Sequence, residues 1–202
     1  MVGVVLPKLS PAGRQGAFAA VGECYVMPVG GKPVNITKDA ALDTEPAWSP
    51  DGSQLAYSSD KDSDHLQLWI RDIKSGQSRR VTDLTTQPQG AAWSPDGSRI
   101  AFFNVDGMWR VAQMSVIDVA SGVATVLDRG AFIITAPSWL PDGKAVLYSS
   151  EASGAPSLSI VGVDGRPLVR CRRGRSEGPA PEAGPATGMY TAEVSPRGRR
   201  RA

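Results

Sequence analysis

Few residues of this chain have the types and spacing that catalysis requires. His65 is the one histidine among 202 residues, whereas a hydrolytic metal centre places several histidines and carboxylates around its ions. A serine hydrolase needs a Gly-x-Ser-x-Gly elbow with a histidine and an acid, and we expect no such elbow here. Glycine-rich phosphate loops are lacking as well. We therefore predict that the chain has no catalytic residue and binds no cofactor.

Two further patterns could suggest a metal. Residues 60–64, DKDSD, imitate the start of a calcium loop, but His65 stands where that loop needs glycine and Arg71 where it needs glutamate. Cys24 and Cys171 are far apart and form no CxxC pair, which excludes a zinc site of the usual spacing. Two unpaired thiols are the simpler interpretation, although a disulfide stays open. We expect a solvated loop at residues 60–64 and no metal site.

Composition places the chain among ordinary globular proteins. Hydrophobic residues make up 41% and charged residues 21%, with a formal net charge of +2, which allows a sizeable core. The N-terminal letters MVGVVLPK contain an apolar run too short for a signal peptide. No stretch is long and apolar enough to span a membrane. We expect no membrane partner, and the compartment stays unknown.

An internal repeat dominates the middle of the sequence. AWSPDG occurs at residues 47–52 and again at 92–97, and SWLPDG follows at 138–143. The proline after serine or leucine recurs at steps of 39, 45, 46 and 55 residues, at Pro11, Pro50, Pro95, Pro141 and Pro196. Each unit holds short runs typical of strands and no sustained helical period. A repeat of 40 to 45 residues with four strands is the size of one β-propeller blade.

The repeated tetrapeptide predicts a tight turn rather than a catalytic site. Proline presets φ for a type I turn, aspartate bonds back to the backbone, and glycine accepts a left-handed conformation. We assign this structural role to Pro50, Asp51, Gly52, Pro95, Asp96, Gly97, Pro141, Asp142 and Gly143. The tryptophans before the turns, Trp48, Trp93 and Trp139, are expected to pack between neighbouring blades. Met108, Trp109 and Met114 are likewise expected to be packing residues.

At these residues the sequence resembles a known family. EPAWSPDGSQLAYSSD at 45–60 and GAAWSPDGSRIAFF at 90–103 are similar to the WD-like, Pro-Asp type of repeat in TolB-like propellers. Residues 24–37 and 104–110 resemble the propeller region that precedes the catalytic domain of bacterial metal-dependent amidohydrolases. Similar propellers also precede the hydrolase domain of prolyl-oligopeptidase-like peptidases. The resemblance implies an all-β fold of about four four-stranded blades, and members of the family are commonly exported.

The C-terminal region differs from the repeats. Residues 1–165 carry 13 Lys/Arg and 17 Asp/Glu, whereas residues 166–202 carry 9 Arg and 3 Glu. We predict propeller blades over residues 1–170 and an irregular basic tail or linker over 171–202, which holds a possible start of a further blade at Pro196. A solvated tail is favoured over a nucleic-acid partner, because no aromatic residues interleave with the arginines.

Three functional hypotheses follow. The first is a non-catalytic propeller part of an amidohydrolase-like protein that acts as scaffold, access gate or binding module, its catalytic domain lying outside these residues. The second is a free-standing TolB-like propeller that binds a protein partner. The third, an independent enzyme, is disfavoured by the missing catalytic residues. Because four blades leave open sheet edges, pairing with another chain could also produce an oligomer.

Overall fold

The structure of the protein is a computed structural model that describes residues 5–105, 112–131, 137–150 and 157–172. These residues form sixteen strands and no helix. The strands are β1 (Val5–Leu9), β2 (Gln15–Ala20), β3 (Glu23–Pro28), β4 (Val34–Asn35), β5 (Asp43–Trp48), β6 (Gln54–Ser59), β7 (Gln67–Asp72), β8 (Ser78–Arg80), β9 (Gln87–Trp93), β10 (Arg99–Val105), β11 (Ala112–Asp118), β12 (Ala124–Ala131), β13 (Ser138–Trp139), β14 (Ala145–Ser150), β15 (Ser157–Gly162) and β16 (Pro167–Arg172).

The strands build four antiparallel sheets, each from four consecutive strands. We call them blades 1 to 4 in chain order. The prediction of four-stranded propeller blades is confirmed, and together the blades form an incomplete propeller. Blade 1 begins with β1 at Val5, because the strand before each Ser-Pro turn pairs with the strand after it.

The first strand of each blade lies next to the first strand of the following blade. β1 contacts β5, β5 contacts β9, and β9 contacts β13. The four first strands therefore line the inner side of the propeller arc, and the fourth strands lie on its outer side. A search of the described residues found no helix long and apolar enough to cross a membrane.

The hydrophobic core is divided among the spaces between blades. Leu55 and Trp48 pack between blades 1 and 2 with Ala17 and Val26. A larger cluster between blades 2 and 3 contains Ala47, Ala56, Leu68, Ile70, Trp93, Ile100, Phe102 and Ile117. The cluster between blades 3 and 4 contains Ala101, Val105, Met114, Val116, Leu127, Val146, Tyr148 and Val161. Strands such as β6 are buried along most of their length because a sheet covers each of their faces.

Candidate functional site

One rim of the propeller carries the four Ser-Pro-like turns, residues 10–13, 49–52, 94–97 and 140–143, which we call the turn rim. The structure places all nine predicted turn residues there, in the connection between the first and second strands of blades 2, 3 and 4. In each turn the glycine N–H donates to the carbonyl three residues earlier, at 2.9 Å for Gly52, Gly97 and Gly143. These glycines have φ values of 72°, 72° and 67°, which side chains rarely adopt.

The carboxylates of the two AWSPDG turns are held by their own turns. Asp51 accepts hydrogen bonds from the Ser49 hydroxyl at 2.6 Å and from the Ser53 N–H at 3.0 Å. Asp96 accepts the same bonds from Ser94 and Ser98. These bonds, with the serine hydroxyl at 49 or 94 contributing most, lower the pKa of both carboxyls to about 2. The two aspartates are thus ionised, saturated turn residues with little basicity for proton transfer.

The turns of successive blades stack on one another. A Cβ atom built on Gly52 would lie 3.7 Å from Cδ of Pro11, in the preceding turn. A Cβ built on Gly97 would lie at the same distance from Cδ of Pro50, and one built on Gly143 at the same distance from Cδ of Pro95. A side chain at any of these glycines would therefore contact the proline of the blade before it, which shows that successive turns lie close together along the rim.

The tryptophan before each turn joins neighbouring blades by a hydrogen bond. The Nε1–H of Trp48 donates to the Lys8 carbonyl at 3.2 Å, and that of Trp93 donates to the Ala47 carbonyl at 3.1 Å. Trp139 repeats the contact with the Ala92 carbonyl at 2.9 Å. Each acceptor lies in the first strand of the preceding blade. The ring packs between blades as expected, and its N–H additionally sets the register of adjacent first strands.

Between the stacked turns lie open clefts. One, with a volume of about 450 Å³, is lined by the turns of blades 2 and 3 together with Ser53, Gln54 and Trp93. Another, of about 510 Å³, is lined by the turns of blades 3 and 4 together with Arg99, Lys144 and Val163. The clefts repeat from blade to blade, so the turn rim presents a row of similar depressions with mixed polar and apolar walls.

The lone histidine is part of a backbone contact. The Nε2 atom of His65 lies 2.8 Å from the Leu84 carbonyl oxygen. In the loop before it, residues 60–64 form a turn, and the Asp60 carboxylate accepts the Leu42 N–H at 2.8 Å. The imidazole therefore binds main chain, and the aspartates of this loop are not gathered into a calcium-binding geometry among the described residues.

A group of acidic side chains, which the repeat pattern does not predict, lies where blade 1 meets blade 2. One oxygen each of Glu23, Asp39 and Asp43 lies within 4.8 Å of the others. We call this group the acidic cluster. Glu23 begins β3, Asp43 begins β5, and Asp39 lies in the connection between blades 1 and 2. The main-chain N–H of Asp43 donates to the Gly22 carbonyl at 2.7 Å, which ties the two blades together beside the cluster.

Two members of the acidic cluster have partners and one does not. Glu23 Oε2 accepts from the Thr37 hydroxyl at 2.5 Å and from the Lys38 N–H at 2.8 Å. Asp39 forms an ion pair with Lys61 at 3.2 Å. Asp43 is 1% exposed, and neither of its carboxylate oxygens has a hydrogen-bond partner within 3.5 Å among the described residues. The hydroxyls of Ser59 and Thr37 face this carboxylate from farther away.

The surroundings of Asp43 disfavour its ionised form. Burial raises the pKa of this carboxyl above its ordinary value, and the charges of Asp39 and Glu23 raise it further. The nearby hydroxyls of Ser59 and Thr37 act in the opposite direction without reversing the shift. The adjacent Cys24 is fully buried, and burial followed by the charges of Asp43 and Glu23 raises the pKa of its thiol. Cys24 is thus an inert packing residue.

The junction between blades 2 and 3 repeats this arrangement with neutral residues. Gln67 takes the place of Glu23, and its Oε1 accepts from the Thr82 hydroxyl at 2.8 Å and from the Leu84 N–H at 3.0 Å. Its Nε2 donates to the Leu84 carbonyl at 2.8 Å. Pro88, fully buried, takes the place of Asp43. The hydrogen-bond scheme is shared, whereas the positions equivalent to Glu23 and Asp43 carry no charge at the second junction. The carboxylate that bridges blades 2 and 3 is that of Glu45, which accepts the Gly90 N–H at 2.6 Å.

Comparison with known proteins settles the family. Residues 3–184 match the model of the TolB beta propeller domain. The chain belongs to this family. The Tol-Pal system protein TolB from Bordetella pertussis is 32% identical over 121 residues, which are 59% of this chain and 27% of that protein. The crystal structure of TolB from Acinetobacter baumannii aligns with a TM-score of 0.70 at 26% identity, covering 81% of this chain and 41% of that one.

A shorter match comes from a peptidase. The uncharacterized peptidase YuxL from Bacillus subtilis is 46% identical over 41 residues, which are 20% of this chain and 6% of that protein. This TolB propeller spans only 27% of the length of its Bordetella relative and 6% of the peptidase. The shared part is the repeat itself, so the comparisons place the propeller and not a neighbouring domain.

Two sequence interpretations need comment. The expectation of no Gly-x-Ser-x-Gly pattern is wrong as a statement about letters, because Gly174 to Gly178 read GRSEG. That segment lies outside the described residues, as do Met108, Trp109 and residues 173–202 of the tail predicted over 171–202. Cys171 and Arg172, the first two residues of that predicted tail, belong to β16. The side chain of Cys171 is also outside them, so a disulfide with Cys24 stays untested. Met114 is fully buried between blades 3 and 4, as expected.

Sequence reasoning missed the acidic cluster in this TolB propeller. Its members are separated by 16 and 4 positions and match no metal-binding spacing. A comparison of the repeats could have pointed to it, since Glu23 aligns with Gln67 and Asp43 with Pro88. Two acids at positions that are neutral in the next blade are the signal that the sequence offers.

Proposed function

We propose that this TolB propeller is a non-catalytic binding module that holds a protein segment on the turn rim. The observation that carries the proposal is the row of clefts between stacked turns, two of which have volumes of about 450 and 510 Å³. The tryptophan hydrogen bonds between first strands hold neighbouring blades, and hence these clefts, in place before any partner binds. A preformed surface loses little conformational entropy on association.

The chemistry of the rim supports binding over catalysis. Asp51 and Asp96 are saturated by bonds within their own turns, and their lowered pKa makes them poor general bases. His65 contacts the Leu84 carbonyl and belongs to a connection at the opposite rim. What the rim offers a partner is shape, exposed proline rings and hydrogen-bonding groups at the edges of the clefts.

Two identities for the partner fit the proposal. A separate protein is favoured by the relation to Tol-Pal system proteins over 59% of the chain. A catalytic domain of the same protein, whose access the propeller would shape, is favoured by the 46% identity with a peptidase over 41 residues. The amidohydrolase version of this second candidate rests on the resemblance of residues 24–37 and 104–110 alone.

Site-specific photo-crosslinking tests the binding surface. A benzophenone amino acid is placed at Ser53 or at Lys144, which are exposed and line the two clefts. The control position is Asp64, exposed at the opposite rim. In lysate of expressing cells we expect the same discrete adduct from both rim positions and none from Asp64. Equal adducts from all three positions, or none from the rim, would contradict the proposal.

A hydrolysis assay separately tests the proposal that the chain is not catalytic. We expect the purified chain to cleave neither amide nor ester substrates above the buffer rate, with or without zinc, because no metal ligands or activated nucleophile are assembled among the described residues. Turnover that survives purification and disappears in His65→Ala would overturn this part. The crosslinking result does not depend on the outcome of this assay.

A further inference from the structure

The acidic cluster brings together three carboxylates from separate parts of the fold. Glu23 comes from blade 1, Asp43 from blade 2 and Asp39 from the connection between them. Their nearest oxygens lie within 4.8 Å of one another. Like charges at this distance repel, and the repulsion is strongest where water is excluded. The arrangement is therefore costly unless a positive charge lies among the three groups.

The Asp43 side chain gives an independent indication of a ligand. It is 1% exposed, and both of its oxygens lack hydrogen-bond partners among the described residues. Buried polar groups in folded proteins are nearly always paired, and an unpaired carboxylate costs far more than an unpaired amide. Both unpartnered oxygens belong to a side chain that lies within 4.8 Å of an oxygen of each of the other two carboxylates.

Among the described residues, one cationic side chain forms an ion pair with the cluster. Lys61 is the cation in contact with it, at 3.2 Å from Asp39. Its ammonium group also lies 5.7 Å from the centre of the Trp69 ring and is partly exposed. One surface ammonium cannot compensate three carboxylates, and it does not reach Asp43. The matched junction between blades 2 and 3 needs no such balance, because Gln67 and Pro88 are neutral there.

We propose that Glu23, Asp39 and Asp43 bind a divalent cation of calcium size at the junction of blades 1 and 2. An all-oxygen set of carboxylates suits hard cations. Calcium takes oxygens at about 2.3 to 2.6 Å, so two of its ligands can lie nearly 5 Å apart. Magnesium keeps several water ligands and is usually bound through one or two carboxylates, so a set of three protein carboxylates suits calcium better.

The cation would act as a clamp between blades. Glu23 is fixed by Thr37 and Lys38 within blade 1 and its connection, and the Asp43 main chain bonds to Gly22. An ion that binds both side chains links the β3 end of blade 1 to the first strand of blade 2. The Asp39 side chain is 27% exposed, which leaves a route for the ion and its water ligands.

Thermal melting with calcium alone tests the proposal. The purified chain is melted in EDTA and in about 5 mM calcium chloride, a concentration above the roughly 1 mM dissociation constant of weak calcium sites. A ligand that binds only the folded state raises the melting temperature. We expect a rise of roughly 3 °C with calcium and a smaller one with magnesium. No calcium response in the wild type, or a response to zinc alone, would overturn the proposal.

Two variants and one control assign the response to the cluster. Asp43→Asn and Glu23→Gln should abolish the calcium-dependent rise. In EDTA, Asp43→Asn should melt no lower than the wild type because it removes an unpartnered buried charge, so loss of response is distinguishable from misfolding. Asp64→Asn, in the exposed loop of blade 2, should respond like the wild type. An unchanged calcium response in Glu23→Gln and Asp43→Asn would overturn the site.

A third variant removes the ammonium group of Lys61, which forms an ion pair with Asp39. Lys61 and the cation compete for Asp39, so Lys61→Met should bind calcium several-fold more tightly by isothermal titration. Weaker binding in this variant would contradict the placement of the ion among the three carboxylates.

Discussion

The junction between blades 1 and 2 and the junction between blades 2 and 3 share a hydrogen-bond scheme. They differ in the charge of the side chains at equivalent positions. In both, a threonine hydroxyl bonds to the first side chain of the third strand, Glu23 in one and Gln67 in the other. The same threonine accepts a main-chain N–H, from Cys24 or Leu68. The first junction gathers three carboxylates, whereas the second has neutral residues, Gln67 and Pro88, at the positions of Glu23 and Asp43, and Gln67 is hydrogen-bonded through both ends of its amide. Repetition thus preserves the backbone of a propeller while leaving side chains at equivalent positions open to new functions.

A substitution in the hydrophobic cluster between blades 2 and 3 should give the largest loss of stability. Phe102 is completely buried in the cluster between blades 2 and 3. We expect Phe102→Ala to lower the free energy of unfolding by about 3 to 5 kcal/mol, because it leaves a cavity that the rigid sheets cannot close. Urea unfolding measures the loss, and Phe18→Ala on half-buried β2 is the control with a smaller loss. Equal losses in the two variants would show that the junction is not the main core.

Adding a carboxylate at the second junction should give the next largest loss of stability, and removing one from the first junction should cost less. In Gln67→Glu an oxygen replaces the Nε2 group that donates to the Leu84 carbonyl at 2.8 Å. We expect a loss of about 3 kcal/mol at neutral pH, since a buried charge meets an acceptor. The reverse change, Glu23→Gln, should cost less than about 1 kcal/mol in EDTA. Similar costs for the two changes would remove the distinction between the junctions.

The turn rim is common to both junctions, so its glycines should respond alike. Gly52 and Gly97 both have φ of 72°. Gly52→Val and Gly97→Val should each cost about 1 to 3 kcal/mol, because a β-branched residue is strained in this region. Asparagine tolerates positive φ better, so Gly97→Asn should cost less. An unchanged melting temperature for Gly97→Val would show that the backbone of this turn is not as described.

The ionised turn aspartates should make the smallest contribution to stability, and their contribution should depend on pH. The folded-state pKa of Asp51 and Asp96 is about 2, below the ordinary value of 3.8. A lowered pKa stabilises the fold above the ordinary value, and that stability is lost as pH falls from about 4 toward 2. Blade 1 carries Ala12 at this position. Asp96→Ala should therefore cost less than about 1 kcal/mol at pH 7, since solvent screens this exposed group.

The same titration provides its own control. Stability curves of the wild type and Asp96→Ala, measured by urea unfolding at several pH values, should converge as the pH approaches 2. A difference that stays constant between pH 7 and pH 2 would mean that the carboxylate does not stabilise the turn through its ionised form.

The sequence by itself determined the blades. Ser-Pro-Asp-Gly turns, strand-like runs and the preceding tryptophans are local signals, and their repetition at 45 and 46 residues specifies consecutive antiparallel sheets. It also indicated that Asp51 and Asp96 are turn residues, because their partners Ser49, Ser53, Ser94 and Ser98 lie within two positions of them.

Only the tertiary structure decided which residues meet between blades. The Trp48 bond to Lys8 spans 40 positions, and no local pattern specifies it. The acidic cluster likewise depends on tertiary packing, since Glu23, Asp39 and Asp43 approach one another only when blade 1 packs against blade 2. The burial that leaves Asp43 without a partner is likewise a product of that packing. Spacing along a chain describes neighbours within a turn or hairpin, whereas a charge enclosed between sheets depends on how the sheets are stacked.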